Sequence, residues 1–135
     1  MKKSLVSKVC IIDDDKLYVN LITMMIKKNS FADELMVFEN GQEALKYFQR
    51  ALKDSNEVLP EVILLDLNMP IMNGWEFLSE IQPYADQMLE RGVRLNVVSS
   101  TINPAEVNRA ENHDVVHKFI TKPISKNAIA TAFVN

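Results

Sequence analysis

The chain has 135 residues, 47% hydrophobic and 24% charged, with 15 Lys and Arg against 18 Asp and Glu for a formal net charge of −3. That length suits one domain and leaves too little for a second, and the slight acidic balance is no footprint for nucleic acid or an anionic membrane. No apolar run exceeds four residues, so nothing spans a bilayer, and no apolar stretch of signal-peptide length follows Lys2-Lys3. A cytoplasmic protein is expected. Cys10, the single cysteine, cannot form an internal disulfide and reads as a small core filler.

Five strand-then-helix units follow in chain order. The first strand runs from about Lys8 to Ile12, and a helix from Lys16 to Lys28 carries Leu17, Leu21, Met24 and Met25 at helical spacing, which predicts its buried face. A short strand near Leu35–Phe38 is punctuated by Asn40-Gly41. A second amphipathic helix from Gln42 to about Leu52 then places Ala44, Leu45, Phe48 and Leu52 inward. The third strand is Val62–Leu65. A third helix starts near Trp75 with Phe77, Leu78 and Ile81 inward, until Pro83 kinks or ends it. Leu95–Val98 is the fourth strand, and Pro104 suits the first turn of a helix running to about Glu111. Val116–Ile120 is the fifth strand, and Ser125 can cap a short last helix. Such alternation argues for a parallel sheet with helices on both faces, for which the order 2-1-3-4-5 is a common solution.

Charged residues stand where three of these strands end. Asp13-Asp14-Asp15 follows the first, Asp66 the third and Lys122-Pro123 the fifth. Ligands gather outside the carboxyl ends of strands in open α/β sheets, so Asp13, Asp14, Asp66 and Lys122 should converge on one edge. Unrelieved, the acids would repel one another by several kcal/mol. A hard cation with oxygen ligands removes that cost, and a few carboxylates with several waters suit Mg²⁺. Neither His nor Cys belongs to the cluster, which argues against zinc or copper. Lys122 and a hydroxyl at the end of the fourth strand could hold phosphate oxygens, leaving a central carboxylate as a nucleophile toward phosphorus. Asp15 is equally suited to capping the first helix. His113 and His117 lack a third ligand for a metal.

Three stretches carry a family resemblance: Asp13-Asp14, the run from Leu65-Asp66-Leu67-Asn68-Met69-Pro70 to Asn73-Gly74, and Phe119-Ile120-Thr121-Lys122-Pro123. Each is weak alone. Together, in order and over nearly the whole chain, they resemble the response-regulator receivers of two-component signalling. The resemblance implies a flavodoxin-like, doubly wound five-stranded parallel sheet with five helices, forming a single receiver domain with its core at about residues 8–133 and no output domain. It implies that Asp66 is the phosphoacceptor, that Asp14 and Asp66 bind Mg²⁺ directly with the Asn68 carbonyl, and that Asp13 acts mainly through water. Lys122 would contact the phosphoryl group, across a cis bond to Pro123. Such families place Ser or Thr at the end of the fourth strand. Counting back from Lys122 favours Ser100, whereas counting back from Pro104 favours Ser99. Ser99 is preferred because the segment from Asn112 to His117 can hold one extra residue.

Asn73 stands where the pattern often has Asp, and the segments Lys53–Pro60 and Pro83–Arg94 are longer than a minimal receiver needs. Phe119, three residues before the lysine, lacks a hydroxyl, so a rotamer switch there would work by packing. The implied function is a signalling receiver that takes a phosphoryl group from a histidine kinase or histidine phosphotransfer protein and then binds a downstream protein target. Two other readings compete. One is a receiver-like module that binds partners without phosphate. The other is an aspartyl-phosphate phosphatase, disfavoured because Asn68 stands where that chemistry needs a second acid.

Overall fold

The computed structural model describes residues 4–134; Lys2-Lys3 lies outside the described residues. Five parallel strands, β1 (Val6–Ile12), β2 (Ala32–Phe38), β3 (Val62–Asp66), β4 (Arg94–Ser99) and β5 (Val116–Thr121), form one sheet in the order β2-β1-β3-β4-β5. The expected flavodoxin-like order is therefore present. The central strand β3 is buried at every position, as a strand covered on both faces must be. The edge strand β2 alternates more and carries Asp33 and Glu34, charges that discourage pairing with another chain.

Two apolar cores separate along the period-two alternation of the strands. Cys10, Ile12, Ile63, Leu65, Leu95 and Val97 face α2 (Gly41–Ala51), α3 (Gly74–Ile81), α4 (Ala85–Glu90) and α5 (Pro104–Glu111). Val9, Ile11, Val62, Leu64 and Val98 face α1 (Lys16–Lys28) and α6 (Lys126–Ala130). Helices α2 and α3 bury the residues expected of them.

Helix α1 does not. Its buried residues are Val19, Ile22 and Ile26, whereas Leu17, Leu21 and Met24 are exposed and Met25 is half-buried. This helix carries two apolar stripes offset by about half a turn, and both satisfy helical periodicity. Packing on the sheet decides between them: Val19, Ile22 and Ile26 join Val9, Ile11, Val62 and Leu64 in one core, while the Asp15 side chain caps the helix start by accepting from the Tyr18 amide at 3.1 Å.

Between Ile81 and β4 the chain stays helical. Pro83 ends α3 and enters a 3₁₀ turn (Gln82–Tyr84) that leads into α4, where Met88 is buried. The segment from Pro83 to Arg94, longer than a minimal receiver needs, thus holds a second helical piece, since proline tolerates a first turn that asks no amide of it. Arg91, just past α4, donates to the carbonyls of Ala51, Asp54 and Glu57 at 3.3, 3.2 and 2.8 Å. The two long segments therefore fasten each other.

The expected extra residue before Lys122 is also present. Leu95 pairs with Val116 and Asn96 with Lys118, so His117 is an unpaired bulge in β5. Beyond it Ser99 aligns with Thr121, and the Lys122 amide donates to the Ser99 carbonyl at 2.9 Å.

Candidate functional site

Because all strands are parallel, β1, β3, β4 and β5 deliver Asp13, Asp66, Ser99 and Lys122 to one edge. Asp13 is buried. Its Oδ1 accepts from the Asp15 amide at 2.9 Å and its Oδ2 from Lys122 Nζ at 3.0 Å. Lys122 Nζ also lies 3.6 Å from Asp66 Oδ1. Asp14 is exposed, yet one carboxylate oxygen each from Asp13, Asp14 and Asp66 falls within a 4.8 Å cluster.

The loop after Asp66 is built to keep its backbone close. Gly74 donates its amide to the Leu67 carbonyl at 2.9 Å. A Cβ on Gly74 would stand 2.5 Å from the Asp66 carbonyl oxygen and 2.7 Å from Leu67 Cα, so only glycine fits there. Asn73 forms a capping box with Glu76: its side chain accepts from the Glu76 amide at 2.9 Å, and its amide donates to the Glu76 carboxylate at 3.0 Å. An amide oxygen caps as well as a carboxylate does, so Asn for Asp at this position leaves the turn intact. Asn68 is exposed, two residues after Asp66.

Burial first, and then the Asp13 charge, pushes the Asp66 carboxyl up to about 6, against the opposing pull of Lys122 and the Asn68 amide. Burial likewise raises Asp13, despite its bonds to Asp15 and Lys122. Crowded carboxylates that resist ionisation, with oxygen donors only, are the donor set of a hard divalent cation. The residues therefore fit a divalent metal.

Ser99 is fully buried at the end of β4, and its hydroxyl accepts from the Thr101 amide at 3.1 Å, while Ser100 is exposed. The Lys122-Pro123 bond is cis. Asp15 caps α1. Trp75 is half-buried against the core and stacks under Arg109 at 4.0 Å. His113 and His117 are not part of the cluster of possible metal ligands.

Tyr18 went unnoticed in the sequence. Its ring centroid lies 4.0 Å from Lys122 Nζ. The available signal was the second phase of α1, in which positions 18, 22 and 25 share the sheet-facing side with 19 and 26.

These features define an open α/β domain with an acidic, lysine-bearing edge. The chain belongs to the response regulator receiver family: the family model for the response regulator receiver domain matches residues 9–134. Response regulator Rcp1 of Synechocystis sp. is 31% identical over 78 residues, which is 58% of this chain and 53% of that protein. The matched region thus spans about half the length of this relative. A two-component response regulator from Cytophaga hutchinsonii has the same fold with a TM-score of 0.82 and 26% identity, over 98% of this chain and 96% of that one. The phosphorylated cyanobacterial phytochrome response regulator RcpA superposes with a TM-score of 0.72 and 28% identity, over 94% and 88%.

Proposed function

We propose that this chain is a single receiver domain that accepts a phosphoryl group on Asp66 from the phosphohistidine of a histidine kinase or phosphotransfer protein. The observation that carries this reading is the cluster of Asp13, Asp14 and Asp66 with Lys122 Nζ 3.6 Å from the Asp66 carboxylate. Such a site holds both a nucleophile and the charges that a transferring phosphoryl group requires.

In the proposed step an Asp66 carboxylate oxygen attacks phosphorus, the P–N bond to the donor imidazole breaks, and the imidazole nitrogen keeps the electron pair and is protonated. Asp14, Asp66 and the Asn68 carbonyl would hold Mg²⁺, with Asp13 acting mainly through water. When bound, Mg²⁺ supplies the charge neutralisation that lets the acids ionise beside an anionic donor. Lys122 carries a point charge to a phosphoryl oxygen, and the Ser99 hydroxyl donates to another. Drawing Ser99 toward the phosphoryl group shifts the loop into α5 and biases the surface formed by α5, β5 and α6 toward a protein target. Phe119, half-buried in the core beside α5, follows by repacking.

The reading is tested with acetyl phosphate and Mg²⁺, followed by intact mass. Native protein should gain one phosphoryl group, and both EDTA and Asp66→Asn should abolish the gain. A folded native protein that binds Mg²⁺ but takes up phosphate from neither acetyl phosphate nor a histidine kinase would instead be a phosphate-independent binding module. We place this activity in the cytoplasm; no helix among the described residues is long and apolar enough to cross a membrane.

A further inference from the structure

Among the described residues, the Lys122 ammonium faces two carboxylates and one aromatic ring. It lies 3.0 Å from Asp13 Oδ2, 3.6 Å from Asp66 Oδ1 and 4.0 Å from the centroid of the Tyr18 ring. The lysine side chain is 17% exposed, so water covers little of the remaining surface. The ring belongs to the first turn of α1, where Asp15 holds the Tyr18 amide at 3.1 Å. The Tyr18 hydroxyl, by contrast, is buried and has no hydrogen-bond partner among the described residues. A buried, unpartnered hydroxyl is destabilising, so its bonding does not account for a tyrosine here. What the side chain offers its surroundings is the face of its ring.

We propose that Tyr18 is a positioning residue, whose ring face holds the Lys122 ammonium at the phosphoryl site. This role rests on the reading of Asp66 as phosphoacceptor. During transfer the carboxylate partner changes: the Asp66 oxygen becomes part of an acyl phosphate, and the negative charge moves outward onto the phosphoryl oxygens. A lysine on a flexible four-carbon stem held by carboxylates alone would be free to stay on Asp13. Asp13 keeps its attraction in that step, as the ring does, but it engages an N–H donor of the ammonium, which the ring does not. The ring attracts the ammonium through its quadrupole and occupies none of the oxygen acceptors, leaving the N–H donors to turn toward the phosphoryl group.

The ring and the hydroxyl can be separated by substitution. The measurement is the rate constant for phosphoryl uptake at saturating acetyl phosphate and Mg²⁺, by intact mass, with Mg²⁺ affinity followed by calorimetry. Tyr18→Leu should lower the rate about tenfold, within the range of a desolvated cation–π contact, while changing Mg²⁺ affinity less than about twofold on the same reasoning. Tyr18→Phe keeps the ring and should recover most of that loss. In a Lys122→Ala background Tyr18→Leu should add little, because the ring then has no ammonium to hold. Should Tyr18→Leu fail to fold, Tyr18→Met makes the same comparison with an unbranched side chain.

Native-like rates in the ring-less variant overturn the role, as does a Tyr18→Phe protein no faster than Tyr18→Leu. A loss that persists in full without Lys122 overturns it too, by showing a merely structural effect. Absence of uptake by the native protein is a different result: it removes the functional reading, and this role with it.

Discussion

The two ends of the sheet use charge in opposite ways. Near the amino-terminal ends of the strands Arg91 meets three carbonyls, those of Ala51, Asp54 and Glu57, and ties two long segments together. At the carboxyl ends three carboxylates lie within 4.8 Å of one another, one lysine pairs with two of them, and burial keeps Asp66 up at about 6. One end is satisfied by the chain itself. The other crowds its acids against a single lysine, an arrangement expected of a surface built for binding rather than stability. Substitutions that relieve charge or strain at the site should therefore stabilise the protein, and those that strip Arg91 should destabilise it.

The largest expected effect is a control on that contrast, because the backbone beneath the site is tightly fitted. Gly74→Ala places a methyl group 2.5 Å from the Asp66 carbonyl oxygen. It should lower stability by about 3 kcal/mol, the upper range for overpacking, and weaken Mg²⁺ binding as the Asp66 loop is pushed aside. Denaturant unfolding and calorimetry would read both. A neutral Gly74→Ala would mean the loop is loose, and that relief of charge is not the only slack at this end.

Arg91→Ala should come next, with a loss of about 2 kcal/mol, since hydrogen bonds to a charged group contribute roughly 1.5–3 kcal/mol and these are partly exposed. Hydrogen exchange should rise over residues 53–60 while phosphoryl uptake stays native. Faster exchange at the Asp66 loop would break the separation between the two ends.

The acidic end was the more legible one in the sequence. Asp13, Asp14, Asp66 and Lys122 could be placed because each follows an apolar run, and strand ends in a parallel sheet share an edge. Ser99 needed one inserted residue, and the bulge at His117 supplies it. The strand order was expected only as a common solution for such alternation, but most helix starts were readable, from Asn40-Gly41, Asn73-Gly74, Pro104 and Ser125. Two things were not. Periodicity cannot choose between two apolar stripes on one helix, so the phase of α1, and with it Tyr18, stayed hidden until the sheet fixed it. Nor does any short-range signal announce Arg91, whose partners lie 34–40 residues away in sequence.

Titration should show the unbalanced charge at the site directly. The Asp66 carboxyl rises from 3.8 to about 6 on folding, so the folded state holds the proton more tightly. That stabilisation is complete below 3.8 and is lost as the pH rises through 6. Asp13 is shifted in the same direction. His113 and His117 are lowered by burial and act with the opposite sign, so the useful quantity is the difference between the native protein and Asp66→Asn. In EDTA the variant should gain on the native protein as the pH climbs from 4 to 7, reaching about 1 kcal/mol once screening is allowed for. Mg²⁺ should close that gap above pH 6 by stabilising only the native protein. A difference that is flat with pH would mean the acids are not crowded.

Ile71 gives the smallest expected effect and the sharpest one chemically, because no charge is involved. It lies in the loop after Asp66 at φ 67° and is exposed. A β-branched side chain is a true outlier in the left-handed region, and it has little burial here to offset the strain. Asparagine tolerates that conformation, and unlike glycine it does not loosen the unfolded chain as much. Ile71→Asn should therefore stabilise the protein by about 1 kcal/mol, read as a shift in the denaturant midpoint at constant slope. Phosphoryl uptake from acetyl phosphate should be unchanged, since Ile71 is not among the cluster of possible ligands. If the variant is stabilised yet loses transfer from a histidine kinase, the strained and exposed side chain is retained for contact with the donor. If it is not stabilised, backbone strain is absent from this edge, and the contrast between the two ends reduces to charge alone.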